Sequence, residues 1–206
     1  YDNSTGTPTW KELTTSGWVT SYTYLNASAS SWPIGELEGT WKFVAKLYKT
    51  AHHESTWTMK GFVEDKGGLS DTKSNSEIMV NRYVSFTIPT VVSWGSADPG
   101  EINKTALSMP ANVNVTANDV VTIQVKGSGN LTRSGGTETI PLSNVYVGKT
   151  APAINNDGVK LTTSYQDLYT SLASPDNTPY PTYWFLTIPE GTPTDTYSFT
   201  YYIQLI

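Results

Sequence analysis

Residues 183–206 constrain the fold of this chain more than any other segment. Residues 183–189 form a compact apolar run, and residues 190–195 after them form a turn rich in Gly, Pro and Thr. From there to the last residue, smaller or polar residues alternate with five apolar ones: Tyr197, Phe199, Tyr201, Ile203 and Leu205. A period of two with aromatic and β-branched residues is typical of a half-buried strand. The segment therefore predicts a tight β-hairpin within a β-rich domain.

The same alternation recurs at close spacing along the chain. Strands are predicted at residues 18–25, 41–48, 57–64, 78–88, 91–94, 113–116, 120–125, 142–147 and 159–163, with a polar loop at 71–77. Asn118-Asp119 and Ser134-Gly135-Gly136 predict tight hairpin turns. We therefore expect an all-β fold, an antiparallel β-sandwich of jelly-roll or immunoglobulin-like type with about ten strands.

One segment has helical spacing instead. Tyr165, Leu168, Tyr169 and Leu172 stand at positions i, i+3, i+4 and i+7, the spacing of one face of a helix. They predict at most one short helix, or a helical loop, in the whole chain.

The first residues differ from the rest. Residues 1–15 are polar, with Trp10 and Leu13 as their apolar anchors, and they predict an extended N-terminal segment. Residues 16–206 are long enough to bury a real core, and we interpret them as a single β-sandwich domain.

Composition limits the partners and the location. The net charge is −5 without a basic cluster, which argues against nucleic-acid binding. No apolar run approaches the roughly 20 residues of a membrane span. The chain has no cysteine, is rich in Thr and Ser and begins at Tyr1 rather than Met. We interpret it as a mature extracellular, cell-surface chain after signal-peptide removal; a trimmed chain is the alternative.

Candidate sites for modification are the Asn-x-Ser/Thr sequons. They lie at Asn3, Asn26, Asn103, Asn114 and Asn130 and are candidates for N-glycosylation. Because 13 residues are Asn and about a quarter are Ser or Thr, composition alone would produce some of them. Asn114 lies in a predicted strand, where Val113 and Val115 should point inward and Asn114 outward.

Residues for catalysis or metal binding form no recognisable set. A zinc-binding helix needs a second His four residues after the first, but Trp57 stands four residues after His53, so His52-His53-Glu54 indicates an exposed loop. The Asp and Glu residues fall mostly in turns, and residues 155–158 and 174–177 fit turns better than a calcium loop. We expect no catalytic residue, no cofactor and no metal.

Seven Trp and 13 Tyr raise the possibility of a carbohydrate-binding platform. Most of them stand at alternating strand positions, where packing in the core is the usual reason for an aromatic residue. Core packing is therefore the preferred interpretation, and sugar binding stays an alternative.

Two segments resemble a known family. The pattern Val92-Ser93-Trp94-Gly95-x-x-x-Pro99-Gly100, followed by Val113-x-Val115-Thr116-Ala117-Asn118, resembles secreted TasA/camelysin-like β-sandwich proteins, to which the subunits of archaeal bundling pili and threads are related. The terminal residues 186–197 are similar to the closing hairpin of prokaryotic, especially archaeal, surface sandwich domains.

The resemblance implies a structural subunit of an extracellular pilus-like filament that polymerises by donor-strand complementation. Its partners would be identical subunits in a homopolymer, together with neighbouring filaments or cell surfaces. An added strand supplies main-chain hydrogen bonds and apolar plugs to an incomplete sandwich, and a head-to-tail contact that does not close makes a fibre. Residues 1–15 suit the donor role, with Trp10 and Leu13 as plugs. The alternatives are a monomeric cell-surface adhesin or carbohydrate-binding module, and a secreted hydrolase.

Overall fold

The computed structural model describes residues 19–23, 44–47, 49, 51–64, 70–151 and 157–206. Contacts divide the chain into two compact units. Unit 1 comprises Tyr1–Tyr83 with Ala117–Asp119, and unit 2 comprises Val84–Thr116 with Val120–Ile206. The predicted N-terminal segment 1–15 lies outside the described residues, and the assignment of residues 16–206 to a single domain stays a prediction.

The described residues of unit 1 form two antiparallel strand pairs. Strand β1 (Val19–Thr23) pairs with β2 (Val44–Leu47), and β3 (Glu54–Glu64) pairs with β4 (Ser70–Val80). The predicted polar loop at 71–77 is wrong, because these residues belong to β4. The polar run at residues 71–77 has no hydrophobic alternation in its sequence, and pairing with β3 supplies the order that the pattern does not show.

Unit 2 contains twelve strands and one short 3-10 helix, η1 (Leu142–Asn144), in the part of the chain that the structure describes. The strands are β5 (Val84–Thr87), β6 (Lys104–Thr105), β7 (Ala111–Ala117), β8 (Val121–Gly127), β9 (Leu131–Arg133), β10 (Thr139–Ile140), β11 (Val145–Gly148), β12 (Val159–Lys160), β13 (Gln166–Leu172), β14 (Thr178–Leu186), β15 (Tyr197–Ser198) and β16 (Tyr201–Leu205). One sheet has the order β12-β11-β14-β7-β5, with β6 also on β14; two smaller sheets have the orders β13-β8-β16 and β10-β9-β15.

The faces of these sheets share one core. Val147 and Trp184 come from the largest sheet, Val125 and Leu168 from the second, and Leu131 from the third. The predicted fold class is confirmed: the protein is all-β with antiparallel sheets, packed as in a β-sandwich. The strands are more numerous than predicted, because several of the pieces are only two to four residues long.

Alternation along single strands is confirmed. In β7 the side chains of Val113 and Val115 are buried while Asn114 lies on the outer side, as its sequence predicts. In β8, Val121, Ile123 and Val125 are fully buried.

Two predicted hairpins are wrong and one is confirmed. Residues 183–188 lie in and after β14, whereas β15 pairs with β9 and β16 with β8. Asn118-Asp119 joins β7 and β8, but these strands belong to different sheets. Of the three predicted hairpins, the one at residues 134–138 is formed, between β9 and β10. Turn residues identify where the chain reverses, and the partner of each strand depends on distant residues.

The predicted short helix at residues 165–172 is wrong, because residues 166–172 form strand β13. β13 pairs with β8, with register shifts between Asp167 and Tyr169 and between Tyr169 and Leu172. Each irregularity changes the side of the sheet to which the next side chains point. Interrupted alternation thus produced a spacing of three and four that resembled a helix.

Candidate binding groove

A groove of about 800 Å³ opens on unit 2. One wall is formed by residues 88–97 and the other by residues 192–201. At its base lie four core side chains: Leu131, Ile140, Leu186 and Ile188. The groove therefore leads from the surface to the centre of the apolar core of unit 2.

The wall at residues 88–97 lies outside the strands because its sequence ends a strand and then turns. Pro89 has no N–H for a ladder, and the predicted strand at residues 91–94 is wrong, since none is formed there. Gly95 has a φ of +65°, a conformation that favours glycine. The segment is held by the Leu107 N–H, which donates to the Ser93 carbonyl at 2.7 Å.

Aromatic side chains line both walls. The rings of Trp94 and Phe199 stack with centroids 6.3 Å apart, and the Tyr201 ring lies 4.8 Å from that of the buried Trp184. The Tyr201 hydroxyl donates to the Pro89 carbonyl, which joins the two walls at one point. The groove is thus mainly apolar and aromatic.

One polar atom in this aromatic wall has no partner. The indole Nε1 of Trp94 is buried and makes no hydrogen bond among the described residues. A buried donor without an acceptor carries a desolvation cost.

Strand β15 has one backbone edge along the groove that pairs with no other strand among the described residues. Its partner is β9, with Tyr197 opposite Arg133 and Ser198 opposite Thr132. On the side of β9, the Ser134 N–H donates to the Thr196 carbonyl at 2.8 Å. Because backbone groups alternate between the two sides of a strand, the N–H and C=O of Tyr197 and Phe199 point away from β9. Within the described residues, no strand pairs with that edge.

An ion-pair cluster holds Asp195, two residues before β15, against Arg133. The Arg133 guanidinium donates to Asp195 Oδ2 at 2.9 Å and to Glu138 Oε2 at 3.0 Å. A hydrogen bond from the Thr196 N–H, together with Arg133, lowers the pKa of the Asp195 carboxyl. The hydrogen bond from Arg133 likewise lowers the pKa of Glu138. The carboxylate that lines the groove is therefore ionised and already paired at neutral pH.

The predicted donor plugs Trp10 and Leu13, and the sequons at Asn3 and Asn26, lie outside the described residues. The other three sequons lie on separate elements and are not part of the groove. Asn103 has a φ of +55°, and its N–H donates to Thr187 Oγ1 at 3.2 Å.

Asn114 and Asn130 differ in how free their side chains are. Asn114 Nδ2 donates to Thr87 Oγ1 at 3.4 Å. Asn130 is exposed, and its Oδ1 accepts a hydrogen bond from the Leu142 N–H at 3.0 Å. This hydrogen bond does not use Nδ2, the atom to which an N-linked glycan is attached. Geometrically, Asn130 is the most accessible of the described sequons.

The His52-His53-Glu54 motif lies in unit 1. His53 Nδ1 is 3.6 Å from Asp119 Oδ2, to which Arg82 Nε also donates at 3.3 Å. No group of three or more metal-ligating side chains occurs among the described residues. Asn155 and Asn156 lie outside them, while Asp157 accepts a hydrogen bond from Thr150.

Sequence reasoning missed the groove. The alternation of Tyr197, Phe199 and Tyr201 predicted inward-facing side chains, and these do pack on the core. The alternation gave no indication that residues 88–97, far away in sequence, would form no strand. It also gave no indication that one edge of β15 would pair with no described strand. The signal that could have shown this was Pro89, which prevents the preceding strand from continuing.

Two further findings concern identity and membranes. In the part of the chain that is described, no helix has the length and apolar character needed to cross a membrane. No protein-family model matches the chain, and no curated protein matches it.

Proposed function

We propose that this protein is a structural subunit of an extracellular, pilus-like filament, in which the groove of one subunit accepts the N-terminal residues 1–15 of the next. The observation that carries the proposal is the edge of β15, which no described strand pairs with, beside an apolar groove that reaches the core. Unpaired strand edges are templates for pairing with another chain, and donor-strand binding uses such an edge together with apolar pockets.

The walls of the groove offer what an added strand requires. An extended segment lying along β15 would form main-chain hydrogen bonds with Tyr197 and Phe199. Its inward side chains would cover Trp94 and Phe199. A contact of this kind repeats from subunit to subunit without closing, and so generates a fibre.

The sequence of the donor segment limits which of its side chains can enter the groove together. In a regular strand, side chains three positions apart point to opposite faces, so Trp10 and Leu13 cannot both enter the groove unless a bulge lies between them. One of the two therefore serves as the principal plug. Alanine substitutions at Trp10 and at Leu13 should consequently have unequal effects on assembly.

The aromatic walls also favour a second candidate, a monomeric surface adhesin or carbohydrate-binding module. Trp94 and Phe199 stack on each other and pack on the core, which leaves less ring surface for a sugar. The third possibility, a secreted hydrolase, receives little support from the groove, where the carboxylate of Asp195 is already paired with Arg133. The filament subunit is therefore the preferred function.

The test compares the full chain with two arginine variants by negative-stain electron microscopy. Val91 lines the groove and its side chain is 74% exposed, while Ile102 is 72% exposed and does not line the groove. Val91→Arg places a charge in the path of the donor strand and should abolish filaments. Ile102→Arg, the matched control, should leave them intact.

A second arm tests the donor. A protein lacking residues 1–14 should fold but not polymerise, and a synthetic peptide of residues 1–15 should raise its melting temperature by binding the groove. Filaments of normal form from the truncated protein, or equal assembly by both arginine variants, would show that the model is wrong.

A further inference from the structure

The outer side of the sheet β13-β8-β16 carries an ordered set of polar and aromatic side chains. Because Val121, Ile123 and Val125 of β8 are buried, the intervening residues of β8 point to the opposite side. Gln124 stands opposite Gln204 and Asp167, and Lys126 stands opposite Tyr202. We call this set the amide–tyrosine face; its members are Gln124, Lys126, Tyr165, Asp167, Tyr202 and Gln204.

A row of hydrogen bonds crosses the three strands of this face. Gln124 Nε2 donates to Asp167 Oδ1 at 2.6 Å, and Gln204 Nε2 donates to Gln124 Oε1 at 2.6 Å. Each amide nitrogen carries a second hydrogen, and each oxygen a second lone pair. The row is therefore fixed in place by its own bonds and still offers both donors and acceptors to a ligand.

Two tyrosine rings flank Lys126 beside this row. Its Nζ lies 4.4 Å from the centroid of the Tyr165 ring and 5.3 Å from that of Tyr202. Such cation–π contacts hold rings in place at low cost. The Tyr202 side chain nevertheless stays 43% exposed, so part of an already positioned ring is open to solvent.

Charge and spacing limit the ligand. Lys126 and Asp167 are the charged members of the face and offset each other, which favours an uncharged ligand. Adjacent strands lie about 4.8 Å apart, close to the length of one pyranose unit, so polar groups recur across the sheet at the repeat of an extended sugar chain. Hydroxyl groups both donate and accept, as this row requires.

We propose that the amide–tyrosine face binds an uncharged, extended polysaccharide. Its hydroxyls bond to Gln124, Gln204 and Asp167, and one sugar ring stacks on Tyr202. This inference does not depend on the filament model: Tyr201 lines the groove, whereas its neighbour Tyr202 points to the other side of the strand. A filament with this face would present a glycan-binding site on every subunit.

The test is affinity electrophoresis of the full chain in native gels that contain one of two soluble polymers with the same β-glucan backbone. Hydroxyethyl cellulose is uncharged and should retard the protein. Carboxymethyl cellulose is acidic and should retard it less. No retardation by hydroxyethyl cellulose, or retardation by the acidic polymer alone, would overturn the proposal.

Three variants test the face itself. Tyr202→Ala should raise the dissociation constant for hydroxyethyl cellulose by about tenfold or more, because a stacking ring is lost. Tyr202→Phe keeps the ring and should bind as the unsubstituted chain does. Ile102→Ala is the matched control for loss of an exposed apolar side chain elsewhere in unit 2. Equal binding by Tyr202→Ala and Tyr202→Phe would overturn the proposal. The proposal would also be overturned if the unsubstituted chain bound no glucan and Tyr202→Ala changed the sedimentation coefficient, because the face would then be a contact between copies.

Discussion

Asn118 and Tyr83 are joined by two hydrogen bonds of opposite direction. The Asn118 N–H donates to the Tyr83 carbonyl at 3.1 Å, and the Tyr83 N–H donates to Asn118 Oδ1 at 2.7 Å. Asn118 Nδ2 also donates to the Asn81 carbonyl at 2.9 Å. Asn118 is only 2% exposed, so this buried asparagine has its side-chain oxygen and nitrogen satisfied by backbone groups of unit 1.

Asn118→Ala should therefore destabilise unit 1. It removes the hydrogen bonds to the Tyr83 N–H and to the Asn81 carbonyl, and we expect a cost of about 1 kcal/mol. Hydrogen–deuterium exchange is the measurement, and peptides that contain Tyr83 should exchange faster. The exposed Asn112 gives the control Asn112→Ala, which should leave the exchange unchanged; equal rates in both variants would contradict the prediction.

Thr182→Val should be costly although it conserves shape. The buried Thr182 hydroxyl donates to the Ala111 carbonyl at 2.6 Å and accepts from Trp184 Nε1 at 2.9 Å. Its loss leaves a buried donor and a buried acceptor unpaired, and we expect a loss of about 1–3 kcal/mol. Urea unfolding measures the change. Thr132→Val, at an exposed threonine, should lie within about 0.5 kcal/mol of the unsubstituted protein, and a similar loss in both variants would exclude this explanation.

Gly158→Ala should disrupt unit 2 because backbone lies where the new methyl group must go. A Cβ at Gly158 would stand 2.0 Å from the Val147 carbonyl oxygen and 2.6 Å from Gly148 Cα. Since β11 cannot move away without breaking its ladder, we expect a loss at or above about 3 kcal/mol, the upper end of the usual cost of overpacking. Thermal unfolding measures it. Gly129→Ala is the control, since a Cβ there meets nothing within 4 Å; a Gly158→Ala protein as stable as Gly129→Ala would refute the clash.

Acid should remove the stabilising effect of the Arg133 cluster. The pKa values of Asp195 and Glu138 are lowered in the folded state, so the unfolded state binds these protons more readily. The stabilisation is complete above the ordinary carboxyl pKa of about 4 and is lost as the pH falls through the lower folded-state values. Asp195→Asn lacks the contribution of Asp195 at every pH.

The measurement is the melting temperature of both proteins from about pH 7 to about pH 3. The difference between the unsubstituted protein and Asp195→Asn should be largest at neutral pH and should shrink below about pH 4. Asp176→Asn, at an exposed aspartate before β14, is the control for a change of net charge. A difference that does not vary with pH would contradict the role of Asp195 as an ionised partner of Arg133.

Among the described sequons, Asn130 should have the highest glycan occupancy. This residue is exposed, and its Oδ1 can keep the hydrogen bond from Leu142 while Nδ2 carries a glycan. Intact-mass spectrometry of this chain, produced in its natural host, should give a mass above the 22.5 kDa of the bare chain, and Asn130→Gln should reduce it. A native mass equal to that of the bare chain would show that the sequons are compositional.

Local periodicity was sufficient for regular strands such as β7 and β8. The inward Val113 and Val115 and the outward Asn114 follow from a period of two, which neighbouring residues determine. The bulges of β13 broke that period, so that Leu168 and Tyr169 suggested a helix. A periodic pattern is informative only where the ladder is regular.

Strand partners and the groove could not be predicted in the same way. Nothing in the alternation of residues 201–205 specifies β8 rather than β14 as the partner, because every half-buried strand offers a similar edge. The groove requires two segments far apart in sequence, at residues 88–97 and 192–201, and one of them is defined by the absence of a ladder. Trp94 belongs to the sequence pattern at residues 92–100, but its stacking on Phe199 follows only from tertiary packing.

The pairing of β16 with β8 places Tyr201 opposite Gly127 and Tyr202 opposite Lys126. A slip of one residue would exchange the two sides of the strand: Tyr202 and Gln204 would turn inward, and Tyr201 and Ile203 would turn to solvent. A single alignment of five residues thus controls both surfaces, and an insertion or deletion within β16 would damage the two together. Substitutions, by contrast, can alter either surface alone, so the two can evolve independently only through changes that preserve the length of this strand.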